Sequence, residues 1–355
     1  MPNEGPLVAV AISGGVDSAV AAALLAERGY RLLGVTMRLW REGDEDASPA
    51  EAAAICRALG IPHQVVDLED VFVERVVQPF VRAYVEGRTP NPCLACNREL
   101  KFGALLEYAR GLGARYLATG HYVRLLNVAS PRDGLGEWQL LTAADARKDQ
   151  SYVLYALGQA ELAQVLFPLG EYTKAEVGAA AVSRGLPVSA RSESQDICFV
   201  RNSDYRRFLA DRVPEALRPG PIVDAEGRVL GEHRGLPYYT VGQREGLGIA
   251  AARPLYVKRL DVSRNALVVG HLEALGRYEL LAGEVSWVSG RPPAEDEQVR
   301  AAIRYRARRV AAQVESLPEA RIRVTFREPL HGITPGQAVV LYAGERVLGG
   351  GIIEG

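Results

Sequence analysis

The feature that most restricts this chain lies near its start. An apolar run over residues 7–12 stops at Ser13-Gly14-Gly15-Val16-Asp17-Ser18, and a helical stretch over 17–28, closed by Gly29, follows. A buried strand that passes through a glycine turn into a helix opens a βαβ unit. The alternation continues with strand runs at 31–37, 63–67 and 114–119 and helical patterns at 48–59 and 99–110. Thr173-x-x-Glu176 is a capping box that starts another helix, which Gly185 and Pro187 stop. This order predicts an α/β domain with a mostly parallel sheet covered by helices. A plain α/β domain without a special site has the same pattern, so function has to be read from the loops.

Past residue 200 the texture changes. A short basic helix at 204–212 precedes strand-like runs at 255–260, 266–269, 299–305, 322–326 and 338–342. Residues 338–342, Ala343-Gly344-Glu345 and 346–348 read as strand, turn and strand. The expected division is 1–204 for the α/β domain, 205–275 for a small β-rich domain and 276–355 for a β-barrel-like module, with exposed loops at 43–46 and 130–136. A length of 355 residues suits two or three domains at roughly 150 residues each. The 48% hydrophobic and 24% charged content excludes disordered, collagenous and fibrous classes.

Lys and Arg number 42 against 43 Asp and Glu, so a net charge of -1 gives no global pull towards nucleic acid or anionic membrane. An RNA partner would need local basic patches. No signal-peptide pattern precedes Ser13, and the later apolar run at 19–26 is far shorter than the ~20 residues that span a bilayer. Four cysteines are too few for a disulfide scaffold. The expectation is a soluble cytoplasmic protein in a reducing compartment, with no membrane partner.

At the junction of strand and helix, unpaired N–H groups and the positive end of the helix dipole point above the strand. Two glycines let the backbone approach an anion, and two serine hydroxyls add donors, which suits a pyrophosphate. No Lys follows the glycines, so this is not a Walker A loop, and Gly111-Leu112-Gly113 is not a dinucleotide fingerprint. The alternative is a glycine turn that only joins strand to helix. The loop resembles the SGGxDS motif of the PP-loop ATP pyrophosphatase superfamily, whose members cleave ATP between its α and β phosphates to adenylate a substrate. That resemblance implies that Ala11, Ile12, Ser13, Gly14, Gly15, Val16, Asp17 and Ser18 hold the triphosphate, with Met37 and Gly120 beside the adenosine. Both lie at strand ends, where open α/β sheets bind ligands. Met37 also reads as an ordinary core residue.

Cys93 and Cys96 stand in C-x-x-C spacing inside a proline-fixed turn just before a helix, and Cys198 lies about a hundred residues on. A thiolate near a helix N-terminus and an arginine has a lowered pKa and is nucleophilic at neutral pH. A zinc site, a redox disulfide and sulfur transfer all remain open, although structural zinc normally takes four ligands and no second C-x-x-C or H-x-x-x-H is present. Cys56, inside an amphipathic helix, reads as a small buried hydrophobe.

Further strings then narrow the choice. They are Thr89-Pro90-Asn91-Pro92 running to Cys96-Asn97, Ala118-Thr119-Gly120-His121-Tyr122, Lys148-Asp149-Gln150-Ser151-Tyr152 and Ser194-Gln195-Asp196-Ile197-Cys198-Phe199. Tyr239-Thr240-Val241-Gly242-Gln243-Arg244-Glu245-Gly246-Leu247-Gly248, Pro335-Gly336-Gln337 and Leu348-Gly349-Gly350-Gly351-Ile352-Ile353-Glu354 follow. In this order they resemble the bacterial tRNA-specific 2-thiouridylase family of PP-loop enzymes over essentially the whole length. The resemblance implies use of ATP with Mg2+, and adenylation of the 2-oxo group of the wobble uridine of tRNA. Cys198 then carries a persulfide from a sulfur-relay or cysteine desulfurase protein. Cys96 attacks it as nucleophile to release hydrosulfide, leaving a transient Cys96–Cys198 disulfide; thiolate exchange makes this chemically sound.

Some family members have Asp where this chain has Cys93. The carboxylate role is therefore vacant, filled by the thiolate, or different in kind. Three converging thiols at Cys93, Cys96 and Cys198 suggest a second route, a [4Fe-4S] cluster with one iron open to hydrosulfide.

The resemblance also implies that Asn91, Pro92 and Cys93 meet the target base, while His121, Lys148, Asp149, Gln150, Arg304, Tyr305 and Gln337 contact tRNA. His121 otherwise reads as a hydrogen-bonded core histidine. Arg304, Arg306 and Arg308 alternate along a predicted strand, which puts them on one face beside Arg309, and Arg321 and Arg323 repeat the pattern. Arg201, Arg206, Arg207 and Arg212 form a second cluster on the predicted helix. Such clusters are solvated faces or phosphate contacts. Two other functional classes compete. A PP-loop amide-forming ligase needs an ammonia source, and no glutaminase-sized domain is present. A non-catalytic RNA-binding protein with a fossil ATP loop leaves Cys96 and Cys198 without work. A monomer is expected.

Overall fold

A computed structural model of the chain describes residues 5–40, 48–129, 136–188, 197–200, 202 and 204–354. Its first sheet contains β1 (Leu7–Ala11), β2 (Arg31–Arg38), β3 (His63–Asp67) and β4 (Tyr116–Ala118). Ahead of its last strand the chain forms a hairpin, β5 (Val123–Ala129) and β6 (Gly136–Thr142), and then returns as β7 (Val165–Leu166). The sheet order is β3-β2-β1-β4-β7 and every pairing is parallel. Val8, Ala9 and Val10 of β1 are fully buried, as expected for a parallel strand covered on both faces. Between β1 and β4 the strand order reverses, and this switch point opens a crevice at the carboxyl ends of both strands.

Helix Val16–Glu27 covers the sheet through a buried run from Ser18 to Leu25. Helix Lys174–Ser183 starts at the expected box: Thr173 accepts the Glu176 N–H at 3.3 Å, and the Glu176 carboxylate accepts the Thr173 N–H at 2.7 Å.

The middle strands are β8 (Gly220–Val223), β9 (Val229–His233), β10 (Tyr256–Asp261) and β11 (Ala266–Gly270), ordered β10-β11-β8-β9. The last strands are β12 (Arg277–Trp287), β13 (Arg300–Ala302), β14 (Val310–Leu317), β15 (Arg321–Leu330), β16 (Ala338–Ala343) and β17 (Arg346–Ile353). They pair in the order β12-β15-β14-β13-β16-β17, and β17 pairs back onto β12 to close a barrel around Leu280, Val324, Val339 and Leu341.

The hairpin, which lies within the first module in sequence, joins this barrel through the pairing of Arg346 with Leu141. Its strands mix exposed and buried positions, so they lack the clean alternation that announces a strand. Of the loop expected at 130–136, Gly136 instead opens β6, while 130–135 and the loop at 43–46 lie outside the described residues.

One predicted strand is corrected. Over 299–305 only Arg300–Ala302 is strand. The chain then turns, with Ala307 N–H donating to the Arg304 carbonyl at 3.1 Å and Arg306 in the left-handed region at φ 59°. Arg304, Arg306 and Arg308 are all exposed, but on a loop and not along one strand face.

Candidate active site

The phosphate loop leaves the carboxyl end of β1 at the switch point. Gly14 takes φ 85°, a conformation that favours glycine, and Gly15 starts helix Val16–Glu27 without a side-chain cap. Ser13 and Ser18 face each other, with hydroxyls 3.4 Å apart, and Ser18 Oγ also donates to the Gly15 carbonyl at 3.0 Å. Behind the loop, Thr36 Oγ1 donates to the Ile12 carbonyl at 2.8 Å, fixing the end of β1 to β2. Met37 is half-buried at the end of β2 and packs on the apolar core.

Gly120 follows β4 and presses on the loop. A Cβ there would stand 2.9 Å from Ser18 N and 3.0 Å from the Asp17 carbonyl carbon. Asp17 itself accepts from Tyr122 OH at 2.7 Å and from Lys174 Nζ at 2.7 and 2.9 Å.

Cys93 and Cys96 lie on another element of the same module. Asn91 caps the helical turn Pro92–Ala95 by accepting the Cys93 N–H at 3.1 Å, and Pro92 is buried. The helix continues as Cys96–Ala104 in π geometry, and Lys101 within it is near enough for its charge to act on Cys93 and Cys96. Cys93 is exposed, Cys96 half-buried and Cys198 exposed. Phe199 anchors the Cys198 segment with ring contacts of 5.2 Å to Phe80, 5.5 Å to Phe72 and 5.2 Å to Phe208. Cys96 and Ile197 pack on this same cluster.

The three thiols sense one another. Surrounding protein desolvates Cys198 and pushes its thiol up to about 11, and the neighbouring Cys96 and Cys93 push the same way, while Lys101 opposes them. Desolvation also raises Cys93 and Cys96, again against the pull of Lys101. The expectation of a thiol pKa lowered by a helix N-terminus and an arginine is therefore corrected. Cys96 sits inside a continuing helix, and the Arg98 guanidinium is held by Glu99 at 2.7 Å and Glu284 at 3.3 Å. Cys56, 1% exposed and with its thiol pushed up to about 11 by burial, packs in the apolar core beside β2.

Lys101 connects the two halves. Its Nζ lies 3.4 Å from His121 Nε2, and His121 Nδ1 lies 2.8 Å from Thr119 Oγ1. His121 follows Gly120 directly, so the cation that acts on the three thiols also meets the segment that presses on the loop. Burial and the Lys101 charge hold His121 well below the ordinary histidine range, so it is neutral. Neither Lys101 nor Lys174 stood out in the sequence, because their roles depend on a π turn and on a distant helix end.

The residues expected to touch tRNA divide. Arg304 is exposed, Lys148 is half-buried, and Tyr305 is half-buried against Tyr152 at 6.0 Å between ring centres. Others are engaged internally. His121 is only 6% exposed, between Phe102 and Phe167. Asp149 accepts from Ala143 N, Ser151 N, Ser151 Oγ and Arg309 Nη2 at 2.9–3.2 Å. Gln150 accepts the Tyr122 N–H at 2.9 Å.

Gln337 donates to the Thr89 carbonyl at 2.8 Å, Thr89 N donates to the Pro335 carbonyl at 2.8 Å, and Thr89 Oγ1 donates to Thr240 Oγ1 at 3.1 Å. Thus the middle and barrel modules both hold the loop of the first module that leads to Cys93. Arg321 and Arg323 are paired with Glu354 and Glu315, and Arg212 lies 3.8 Å over the Phe208 ring. Arg201 lies outside the described residues.

A cavity of about 240 Å³ lies beside the cysteine helix, lined among others by Asn91, Ala95, Arg98 and Glu284. Among the described residues no group of three or more His, Cys, Asp or Glu side chains is gathered as a metal site, and no helix is long and apolar enough to cross a membrane.

Comparison with known proteins agrees with this architecture. The tRNA methyl transferase HUP domain family matches residues 7–202, the tRNA methyl transferase PRC-barrel domain 206–271, and the aminomethyltransferase beta-barrel domain 277–353. The tRNA-specific 2-thiouridylase MnmA of Chloroflexus aggregans is 50% identical, covering 98% of each chain. Its namesake in Moorella thermoacetica is 48% identical over 97% of this chain and 98% of its own. A U34-tRNA thiolase NcsA from Methanococcus maripaludis is similar to 59% of this chain and 66% of its own at 19% identity and a TM-score of 0.37, too low to bear on mechanism. Half-identity along nearly the whole length decides the matter: the chain belongs to the tRNA-specific 2-thiouridylase family.

Proposed function

We propose that this protein uses ATP to replace the 2-oxo group of the wobble uridine of tRNA with sulfur, and that its own cysteines deliver the sulfur. One observation carries the reading. Cys198 lies about a hundred residues beyond Cys93 and Cys96, yet its neighbour Ile197 packs on the same apolar cluster as Cys96, and Cys93 and Cys96 both act on its thiol beside Lys101, whose Nζ lies 3.4 Å from His121.

ATP, with Mg2+, occupies the loop from Ala11 to Ser18, with Met37 and Gly120 beside the adenosine. The uridine O2 bonds to the α-phosphorus as the bond to the bridging oxygen breaks, and pyrophosphate leaves with the electron pair. Cys198, loaded as a persulfide by a relay or desulfurase protein, is attacked at its Sγ by the Cys96 thiolate. Hydrosulfide departs, and a Cys96–Cys198 disulfide forms. Hydrosulfide adds to C2, the C2–O bond breaks, and AMP leaves with the former uridine oxygen. An external dithiol then reduces the disulfide. Asn91, Pro92 and Cys93 border the target base. Exposed Arg304, Arg306 and Arg308 meet phosphates, which positions RNA and makes binding salt dependent.

The domains are read as 1–204 for chemistry and 205–275 and 276–355 for holding tRNA, in a cytoplasmic monomer. A [4Fe-4S] cluster on Cys93, Cys96 and Cys198 is the second route by which these thiols could deliver sulfur. No step is assigned to it.

The test is pyrophosphate release. It should require tRNA with a wobble uridine and vanish when that base is cytidine; release that ignores the base would defeat the proposal.

A further inference from the structure

The proposed sulfur steps use two thiols, yet a third stands beside them. Cys198 carries the sulfur and Cys96 releases it, which leaves Cys93 without a part in the disulfide that ends the turnover. Its placement is specific. Pro90 and Pro92 stand on either side of Asn91, Asn91 accepts the Cys93 N–H at 3.1 Å, and the Cys96 N–H donates to the carbonyls of Cys93 and Pro92. That last bond puts Cys93 and Cys96 at the two ends of one helical turn, where Cβ atoms three residues apart lie about 5–6 Å from each other. A small adjustment brings such a pair to disulfide distance.

Cys198 comes near from another element. Val200 N–H donates to the Ile197 carbonyl at 2.9 Å, which holds Cys198 in a tight turn, and Ile197 and Cys96 pack on one apolar cluster. Cys96 and Cys93 both act on the Cys198 thiol. Cys96 is half-buried, whereas Cys93 and Cys198 are exposed. Cys96 thus has one exposed thiol on its own helical turn and another on the Cys198 segment. A thiol tethered on the same turn is present at a far higher effective concentration than an external reductant.

We propose that Cys93 is a resolving cysteine, which takes Cys96 over from Cys198 after each sulfur transfer. The Cys93 thiolate attacks Sγ of Cys96 in the Cys96–Cys198 disulfide. A Cys93–Cys96 bond forms as the Cys96–Cys198 bond breaks, the electron pair leaves on the Cys198 sulfur, and that sulfur regains the proton that Cys93 gave up. The exchange involves no net oxidation or reduction. Cys198 is again free to accept sulfur, while an external dithiol reduces the new bond at the exposed Cys93 and leaves as its own disulfide. This inference rests on the persulfide reading above and gives its third thiol a task.

Disulfide mapping on the full chain is the experiment. Protein loaded by a cysteine desulfurase with cysteine, then separated from both, turns over once with ATP, Mg2+ and wobble-uridine tRNA in the absence of dithiol. Acid stops exchange by protonating thiolates, and a maleimide then blocks the free thiols. Trypsin parts Cys198 from peptide 89–98, which holds both other cysteines. In the wild type, peptide 89–98 should carry an internal disulfide in the larger share of the oxidised protein, with Cys198 blocked. Omitting tRNA should leave that peptide unbridged. In Cys93→Ala the disulfide should stay between Cys96 and Cys198, and blocking of Cys198 should fall at least about tenfold.

A wild type whose main product is the Cys96–Cys198 disulfide would overturn the proposal, as would bridging of peptide 89–98 that is equal without tRNA. A Cys93→Ala variant with Cys198 blocked to the wild-type extent would do the same. Should that variant fail to fold, the wild-type map decides alone. A wild type that forms 2-thiouridine with Cys96 in no disulfide would overturn the persulfide reading itself, a distinct result.

Discussion

Lys101 Nζ stands 3.4 Å from Nε2 of His121, and the same ammonium is the cation that opposes the raised pKa of Cys93, Cys96 and Cys198. Replacing Lys101 with Met removes that opposition, so all three thiols should rise further and hold less thiolate at a given pH. Alkylation of Cys96 at pH 7.5, followed by peptide mass analysis, should slow at least about threefold. The difference should vanish at pH values above the thiol range, and Lys101→Arg should restore most of the rate. An unchanged rate in Lys101→Met contradicts the assignment.

His63, His121 and His233 are each held below the ordinary histidine range, chiefly by burial. Their unfolded forms take up protons near pH 6.5, whereas the folded forms do not until lower pH. The unfolded state therefore binds more protons in that window. Stability is fully present above about pH 6.5 and is lost as pH falls below it. The urea midpoint should be lower at pH 5.5 than at pH 7.5. The reverse order would mean that these rings are not held neutral.

Gly120 leaves no room for a side chain against the backbone of the phosphate loop. Gly120→Ala should push Ser18 N and Asp17 out of place and cut ATP affinity about tenfold or more, while the circular dichroism of the fold is retained. Wild-type affinity in the variant would show that the loop has slack that the contacts do not suggest.

Asp149 separates a structural role from an RNA contact. Its carboxylate accepts from the backbone N–H groups of Ala143 and Ser151, from Ser151 Oγ and from the Arg309 guanidinium 160 residues on, and it is 12% exposed. Asp149→Ala should destabilise the protein by about 3 kcal/mol, since it strips a largely buried charged group of its partner. A variant with wild-type stability and weakened tRNA binding would return Asp149 to the RNA surface.

The strand and helix starts around Ser13 and Thr173 were legible because turn glycines and capping residues act locally. The helix predicted over 99–110 in fact begins at Pro92 and runs through a π segment, so residue spacing alone did not show that the Lys101 charge acts on the three thiols. Alternating arginines at 304, 306 and 308 suggested a strand, but the left-handed Arg306 breaks it, and propensity carries no trace of that turn. Asp149, Gln150 and Gln337 were placed by family resemblance, which identifies a position without saying whether its side chain faces RNA or the loop beneath. The pairing of Asp17 with Lys174 is a tertiary fact, invisible until two helix ends meet.

The most direct test is mass analysis of nucleosides from unmodified tRNA incubated with the protein, ATP, Mg2+ and a persulfide donor. Wild-type protein should form 2-thiouridine at the wobble position. Cys96→Ala and Cys198→Ala should form less than about a hundredth as much under the same conditions, while Cys56→Ala should stay close to wild type. A folded, ATP-binding wild-type protein that yields no 2-thiouridine, or a Cys198→Ala variant that thiolates at the wild-type rate from the persulfide donor, would contradict the account.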